Sequence, residues 1–147
     1  MSSRLVWAIP GAGKSTFVDN NPHLDIVDFD AWQRAYGKKH PKLLKKVGFE
    51  KYLALCLKSC RKHNSNSIIL TSKLSHVEIA DVVIVHFNIE KFVKSTTRPN
   101  REVWGYNKCS QRLSDYKQII AEHNIQYYEM LDDEFFSDTL QRIKILQ

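Results

Sequence analysis

Nine residues near the N-terminus, Ala8-Ile9-Pro10-Gly11-Ala12-Gly13-Lys14-Ser15-Thr16, constrain this chain more than any other stretch. They follow the apolar run Leu5-Val6-Trp7 and precede a stretch that reads as a helix. Gly11 and Gly13 permit positive φ, and the order is one position short of G-x-x-x-x-G-K-[ST], with Ala8 in place of the first glycine. In such a loop successive backbone N–H groups wrap a nucleotide's phosphates, the lysine reaches the β- and γ-phosphates, and the hydroxyl binds Mg²⁺. Gly11, Ala12, Gly13, Lys14, Ser15 and Thr16 are therefore the expected nucleotide-binding residues. Ser15 is the expected Mg²⁺ ligand, and ATP the expected donor. A chance Gly-Lys-Ser-Thr would have no reason to sit between a strand and a helix.

The 147 residues suffice for one domain with a single core, 1–147, and not for two. A net charge of +6 suits phosphate-bearing ligands without requiring them. Cys56, Cys60 and Cys109 form no CxxC pair, and their odd number argues against a disulfide framework. The expected compartment is the cytoplasm. No apolar run approaches the roughly 20 residues needed to span a membrane, and neither a targeting segment nor a membrane partner is expected. Composition leaves the oligomeric state open.

Taken in order, residues 4–9 read as a strand, 14–20 as the helix after the loop, and 24–28 as a second short strand ending in Asp28-Phe29-Asp30. A short helix over 31–36 is followed by a basic turn, Gly37-Lys38-Lys39-His40-Pro41. One longer helix over 42–62 carries Phe49, Leu53, Cys56 and Cys60 as an apolar stripe. Residues 67–71 and 82–87 form apolar strands flanking a helical turn at 75–80, and 89–97 a helix. A lid-like loop spans about 98–108. Cys109, Leu113, Tyr116, Ile120 and His123 mark a helix, residues 125–131 a fifth strand, and Phe136, Leu140 and Ile143 a closing helix. Alternation of this kind predicts a three-layer α/β fold of the P-loop NTPase type, with a five-stranded parallel sheet and helices on both faces.

Phosphoryl transfer needs a phosphate cradle, a metal holder, a base and movable cations. Asp28 and Asp30, two apart in an extended segment, would project to one side at the carboxyl edge of the sheet. Asp28 is assigned the metal and Asp30 the base; capping of the next helix is the competing role for a strand-end aspartate. The third strand ends Leu70-Thr71-Ser72, without the aspartate that motor ATPases place there. The metal then falls to Asp28 or to water held by Thr71.

Asp28-Phe29-Asp30, followed by Arg34 and His40-Pro41, resembles the paired aspartates, arginine and His-Pro of the P-loop kinases that include zeta toxins and polynucleotide 5′-hydroxyl kinases. The resemblance covers residues 4–41 by motif and the rest by element order. It implies that Asp30 activates an acceptor hydroxyl and that Arg34 binds the acceptor. Shikimate-type and nucleoside monophosphate kinases share the wider plan. The chain departs from the pattern at Ala8 and in the six residues between Arg34 and Pro41, and it lacks the bulk of a zeta toxin.

Arg98 and Arg101 fall where kinases of this plan carry a closing lid, and are assigned as catalytic cations beside Lys14. Residues 34–62 hold ten Lys or Arg and one acid, Glu50. This run suits a phosphate-bearing or polynucleotide acceptor, although a solvated helix face would look the same. Trp32 and Tyr36 lie one helical turn apart and could stack a base or pack on each other. The six histidines are scattered without zinc-ligand spacing. The expected activity is thus an ATP-dependent phosphotransferase acting on a nucleoside, a nucleotide or a nucleic-acid 5′ end. A nucleotide-dependent switch or nucleic-acid-binding ATPase is the alternative, and a non-catalytic remnant a third.

Overall fold

The computed structural model describes residues 3–96 and 104–145. A five-stranded parallel sheet is built from β1 (Arg4–Ala8), β2 (Ile26–Asp28), β3 (Ile68–Thr71), β4 (Val82–Val85) and β5 (Tyr128–Glu129), in the order β2-β3-β1-β4-β5. Leu5 pairs with Ile69 and Val6 with Leu70 at the centre, and Asp28 at the end of β2 pairs with Leu70. These central strands are buried on both faces, which is why they appear in the sequence as unbroken apolar runs.

The helices are α1 (Lys14–Asn20), α2 (Phe29–Lys39), α3 (Leu43–Val47), α4 (Phe49–His63), α5 (Ile89–Thr96), α6 (Tyr106–Glu122) and α7 (Phe136–Arg142), with a 3₁₀ turn at Leu74–His76. Leu5 packs with Phe29 of α2 and with Leu53, Cys56 and Leu57 of α4. Trp7, two residues on and so on the same face, meets the ring of Tyr116 in α6 edge-on at 5.6 Å. The β1-to-β2 connection travels the opposite way across the sheet, and right-handed crossover then places α1 on the other face. There α1 packs on α7 through Phe17 and Phe136, whose ring centroids are 5.6 Å apart. All three cysteines are buried and free.

Several boundaries differ from those expected. Helix α2 starts directly after β2 and absorbs Gly37, Lys38 and Lys39, so only His40 and Pro41 remain of the basic turn. The single helix expected over 42–62 is two, because Gly48 adopts φ 86° and ψ 162°, a left-handed conformation that ends α3 and opens α4. The break turns Phe49 outward, 57% exposed rather than in the buried stripe, and Tyr52 takes the inner position. β4 and β5 are shorter than expected, and α6 begins at Tyr106, inside the stretch read as a lid-like loop.

Gly37 has a steric role. A Cβ there would lie 2.6 Å from the Tyr52 hydroxyl, so its absence lets α2 and α4 approach. Tyr52 in turn donates a hydrogen bond to the Gln33 carbonyl at 3.4 Å.

Candidate active site

The chain leaves β1 for β2 on one side, and β3 for β4 on the other. The crevice outside the carboxyl ends of β1 and β3 is therefore the switch point where open α/β sheets bind ligands. Three segments converge on it: the loop 9–16 after β1, Asp28 to Asp30 after β2, and Thr71 to Lys73 after β3.

Ala8 is the last residue of β1, fully buried and paired with Ile84 of β4. The position is ordinary strand backbone, so an alanine methyl group fits where the motif has glycine. The glycines that matter are Gly11 at φ 87° and Gly13 at φ 100°. The Ile9 N–H donates to the Ile84 carbonyl at 3.0 Å, the Ala12 N–H to the Ile9 carbonyl at 3.1 Å, and the Phe17 N–H to the Gly13 carbonyl at 3.0 Å. Lys14 and Ser15 are half-buried and Thr16 is exposed.

A cleft of about 440 Å³ opens beside this loop, between Gly11, Gly13, Thr16 and Asn20 on one side and residues 132–137 on the other. Its far wall is stiffened by Glu134, which accepts from the Leu131 N–H at 2.8 Å and from Arg142. The Arg142 hydrogen bonds hold the Glu134 carboxyl down at about 2. Lys91 adds a cation to the wall, 3.5 Å from the Glu134 carbonyl.

Behind the loop lies His86, 3% exposed, with neither ring nitrogen in a hydrogen bond of good geometry. Burial first, then Lys91, lowers its pKa to about 4, against a smaller upward pull from the carbonyls of Pro10 and Gly11. A neutral imidazole thus supports the loop from inside.

Asp28 and Asp30 do not share one extended face. Asp28 ends β2 and caps α2, its Oδ1 accepting from the Asp30 N–H at 3.1 Å, while Asp30 sits in the first helical turn. The cap role considered for Asp30 belongs to Asp28. Arg34 is exposed one turn along α2 from Asp30. Trp32 and Tyr36 face α4 and are half-buried, Trp32 against His63 at 5.6 Å and Tyr36 near Tyr52 at 6.4 Å between ring centroids.

At the end of β3 the Thr71 hydroxyl is turned inward. It lies 2.8 Å from His76 Nδ1 and accepts from the Lys73 N–H at 3.2 Å, so it is not presented to a metal-bound water. His76 is kept neutral, its pKa lowered to about 4 by burial and by the cations Lys73 and Arg61.

Lys73, which the sequence did not single out, reaches across to Asp30 with Nζ 3.2 Å from Oδ1. The available signal was its place just past the third strand, at the edge of the sheet where ligands bind.

Arg98 and Arg101 lie outside the described residues. Among the described residues no group of three or more acidic, histidine or cysteine side chains could enclose a metal ion, and no helix is long and apolar enough to cross a membrane. A cation here would rest on Ser15, Asp28 and the phosphates of the nucleotide. That sparse donor set fits Mg²⁺, which retains water and is commonly held by one or two protein groups plus phosphate.

No known family description matches the chain, and no curated protein matches it. Its fold is that of a solved shikimate kinase from Acinetobacter baumannii in complex with shikimate. The TM-score is 0.60 at 16% identity, over 98% of this chain and 91% of that one. The likeness shows the three-layer P-loop fold with its five-stranded parallel sheet.

Proposed function

We propose that the chain is an ATP- and Mg²⁺-dependent phosphotransferase that moves the γ-phosphoryl group to an acceptor hydroxyl. The observation that carries the reading is Asp30. Its carboxylate sits just past the carboxyl end of β2, on the same edge of the parallel sheet as the loop after β1, on a segment held by β2 and by the Asp28 cap. A carboxylate there supplies the base that transfer to a hydroxyl uses and that nucleotide binding alone does not require.

In this reading the amides of 11–16 and Lys14 hold the donor phosphates, and Asp30 accepts the proton of the attacking hydroxyl. Arg34 binds the acceptor, while Arg98 and Arg101 close over the transferred group. Ser15 and Asp28 would hold Mg²⁺, which would supply charge neutralisation for the donor phosphates. The acceptor is a nucleoside, a nucleotide or the 5′ end of a nucleic acid, which the cations of residues 34–62 suit.

The test is transfer of labelled γ-phosphate to nucleosides, nucleotides and 5′-hydroxyl oligonucleotides, with shikimate included because of the structural likeness. Transfer to a nucleic-acid or nucleoside hydroxyl, reduced by about 100-fold or more in Asp30→Asn with ATP binding retained, is expected. Release of phosphate to water alone would sink the proposal.

A further inference from the structure

Lys73 is held unusually well for a lysine beside a crevice. Its carbonyl accepts from Trp7 Nε1 at 2.9 Å and from the His76 N–H at 2.9 Å, and its own N–H donates to the Thr71 hydroxyl at 3.2 Å. Trp7 is fully buried and belongs to β1, and Thr71 is the last residue of β3. The Lys73 backbone is thus tied to both central strands, and only the side chain is left to move.

That side chain ends on Asp30. The ammonium is 3.2 Å from Oδ1, which is buried and receives no hydrogen bond of good geometry. A buried carboxylate oxygen without a partner is costly, so the charge of Lys73 is what offsets it. About a third of the Asp30 side chain is nevertheless exposed. Since Oδ1 contributes none of that exposure, it falls on the rest of the side chain.

We infer that Lys73 is a positioning residue: by gripping Oδ1 it fixes the Asp30 carboxylate so that Oδ2 alone is presented to the acceptor hydroxyl. The role rests on the phosphotransferase reading above and adds to it a residue that neither the P-loop nor the aspartate pair contains. A base that rotates freely offers its proton-accepting lone pair in the right direction only part of the time. Misplacement of about 1 Å is enough to cost about 100-fold.

The experiment is a double-mutant cycle on γ-phosphoryl transfer, using Lys73→Met, Asp30→Asn and the pair, with Lys73→Arg as a second variant in case the first folds poorly. Tm and ATP affinity are measured alongside. Expected for Lys73→Met is a fall in kcat of about 100-fold with acceptor KM and ATP affinity little changed. Lys73→Arg restores most of the rate, and the double variant is no slower than Asp30→Asn alone.

An equal loss in the Asp30→Asn background, or a change confined to acceptor KM, overturns the inference and leaves the phosphotransferase reading standing. If the unmodified protein transfers phosphate to no acceptor, both fail together. The two failures are therefore distinguishable.

Discussion

Arg142 grips Glu134 at two points, Nε to Oε2 and Nη2 to Oε1, each at 2.9 Å, and a third Arg142 hydrogen bond at 2.8 Å reaches the Glu129 carbonyl. One side chain of α7 thereby ties the end of β5 to the wall of the cleft beside the loop 9–16. Arg142→Ala should loosen that wall and weaken ATP binding by up to about five-fold, the range of an exposed ion pair. Arg142→Lys, which keeps the charge but cannot form the fork, should recover only part of the loss. Titration with a fluorescent ATP analogue reads both. The Glu134 contribution is present above its unfolded pKa of 4.5 and is lost as pH falls toward about 2.

His76 and His86 predict an acid limit at higher pH. Both are buried neutral with folded pKa near 4, against 6.5 unfolded. Because the folded values are depressed, their stabilisation is full above 6.5 and declines as pH drops toward 4. The loss is on the order of 3 kcal/mol each. Urea midpoints across that window should fall, and His76→Gln should flatten part of the slope. An unchanged midpoint from pH 7 to 4.5 would refute the assignment.

In the proposed reading Asp28 has two separable duties, the helix cap and the metal. Asp28→Ala removes a helix cap and should cost about 1 kcal/mol. Asp28→Ser keeps a capping oxygen but not the charge, so it should retain most of that stability while weakening the Mg²⁺ dependence of ATP binding. Thermal melts and Mg²⁺ titrations with ATP present distinguish the two. Equal Mg²⁺ dependence in Asp28→Ser and the parent would remove Asp28 from the metal site.

Two glycines differ in why they resist change. At Gly37 the obstacle is space, and Gly37→Ala should destabilise by about 1–3 kcal/mol, relieved in part by Tyr52→Phe. At Gly13 space is adequate, with Phe136 Cβ at an ordinary 3.5 Å, but φ of 100° is the obstacle. Gly13→Ala should therefore disturb the phosphate loop and ATP affinity more than its Tm shift implies, as paired melts and ATP titrations would show.

The phosphate loop and the buried strands were legible because their signals are local. Gly11 to Thr16 is a contiguous pattern, and residues 68–71 and 82–85 are unbroken apolar runs. The break at Gly48 was not: Phe49, Leu53, Cys56 and Cys60 keep a helical period that starts just after it, and a single glycine beside a helical pattern does not by itself mark an end. The outward turn of Phe49 depends on one residue's φ. β5 is only two residues long, so an apolar stretch from 125 to 131 overstated it. Asp28 and Asp30 were found by type, but their relative direction was set by a helix that starts two residues earlier than its sequence cap suggested. Lys73 was invisible among 22 lysines and arginines, since its place beside Asp30 comes from the pairing of β2 with β3.

The hydrogen bond from Trp7 to Lys73 has a kinetic consequence. It joins the strand that leads into the loop 9–16 to the segment that touches Asp30, at the centre of the sheet. Each half-site is then shaped before either ligand arrives. Donor and acceptor should therefore enter in random order, with a dead-end analogue of each competitive against its own substrate and noncompetitive against the other in initial-rate plots.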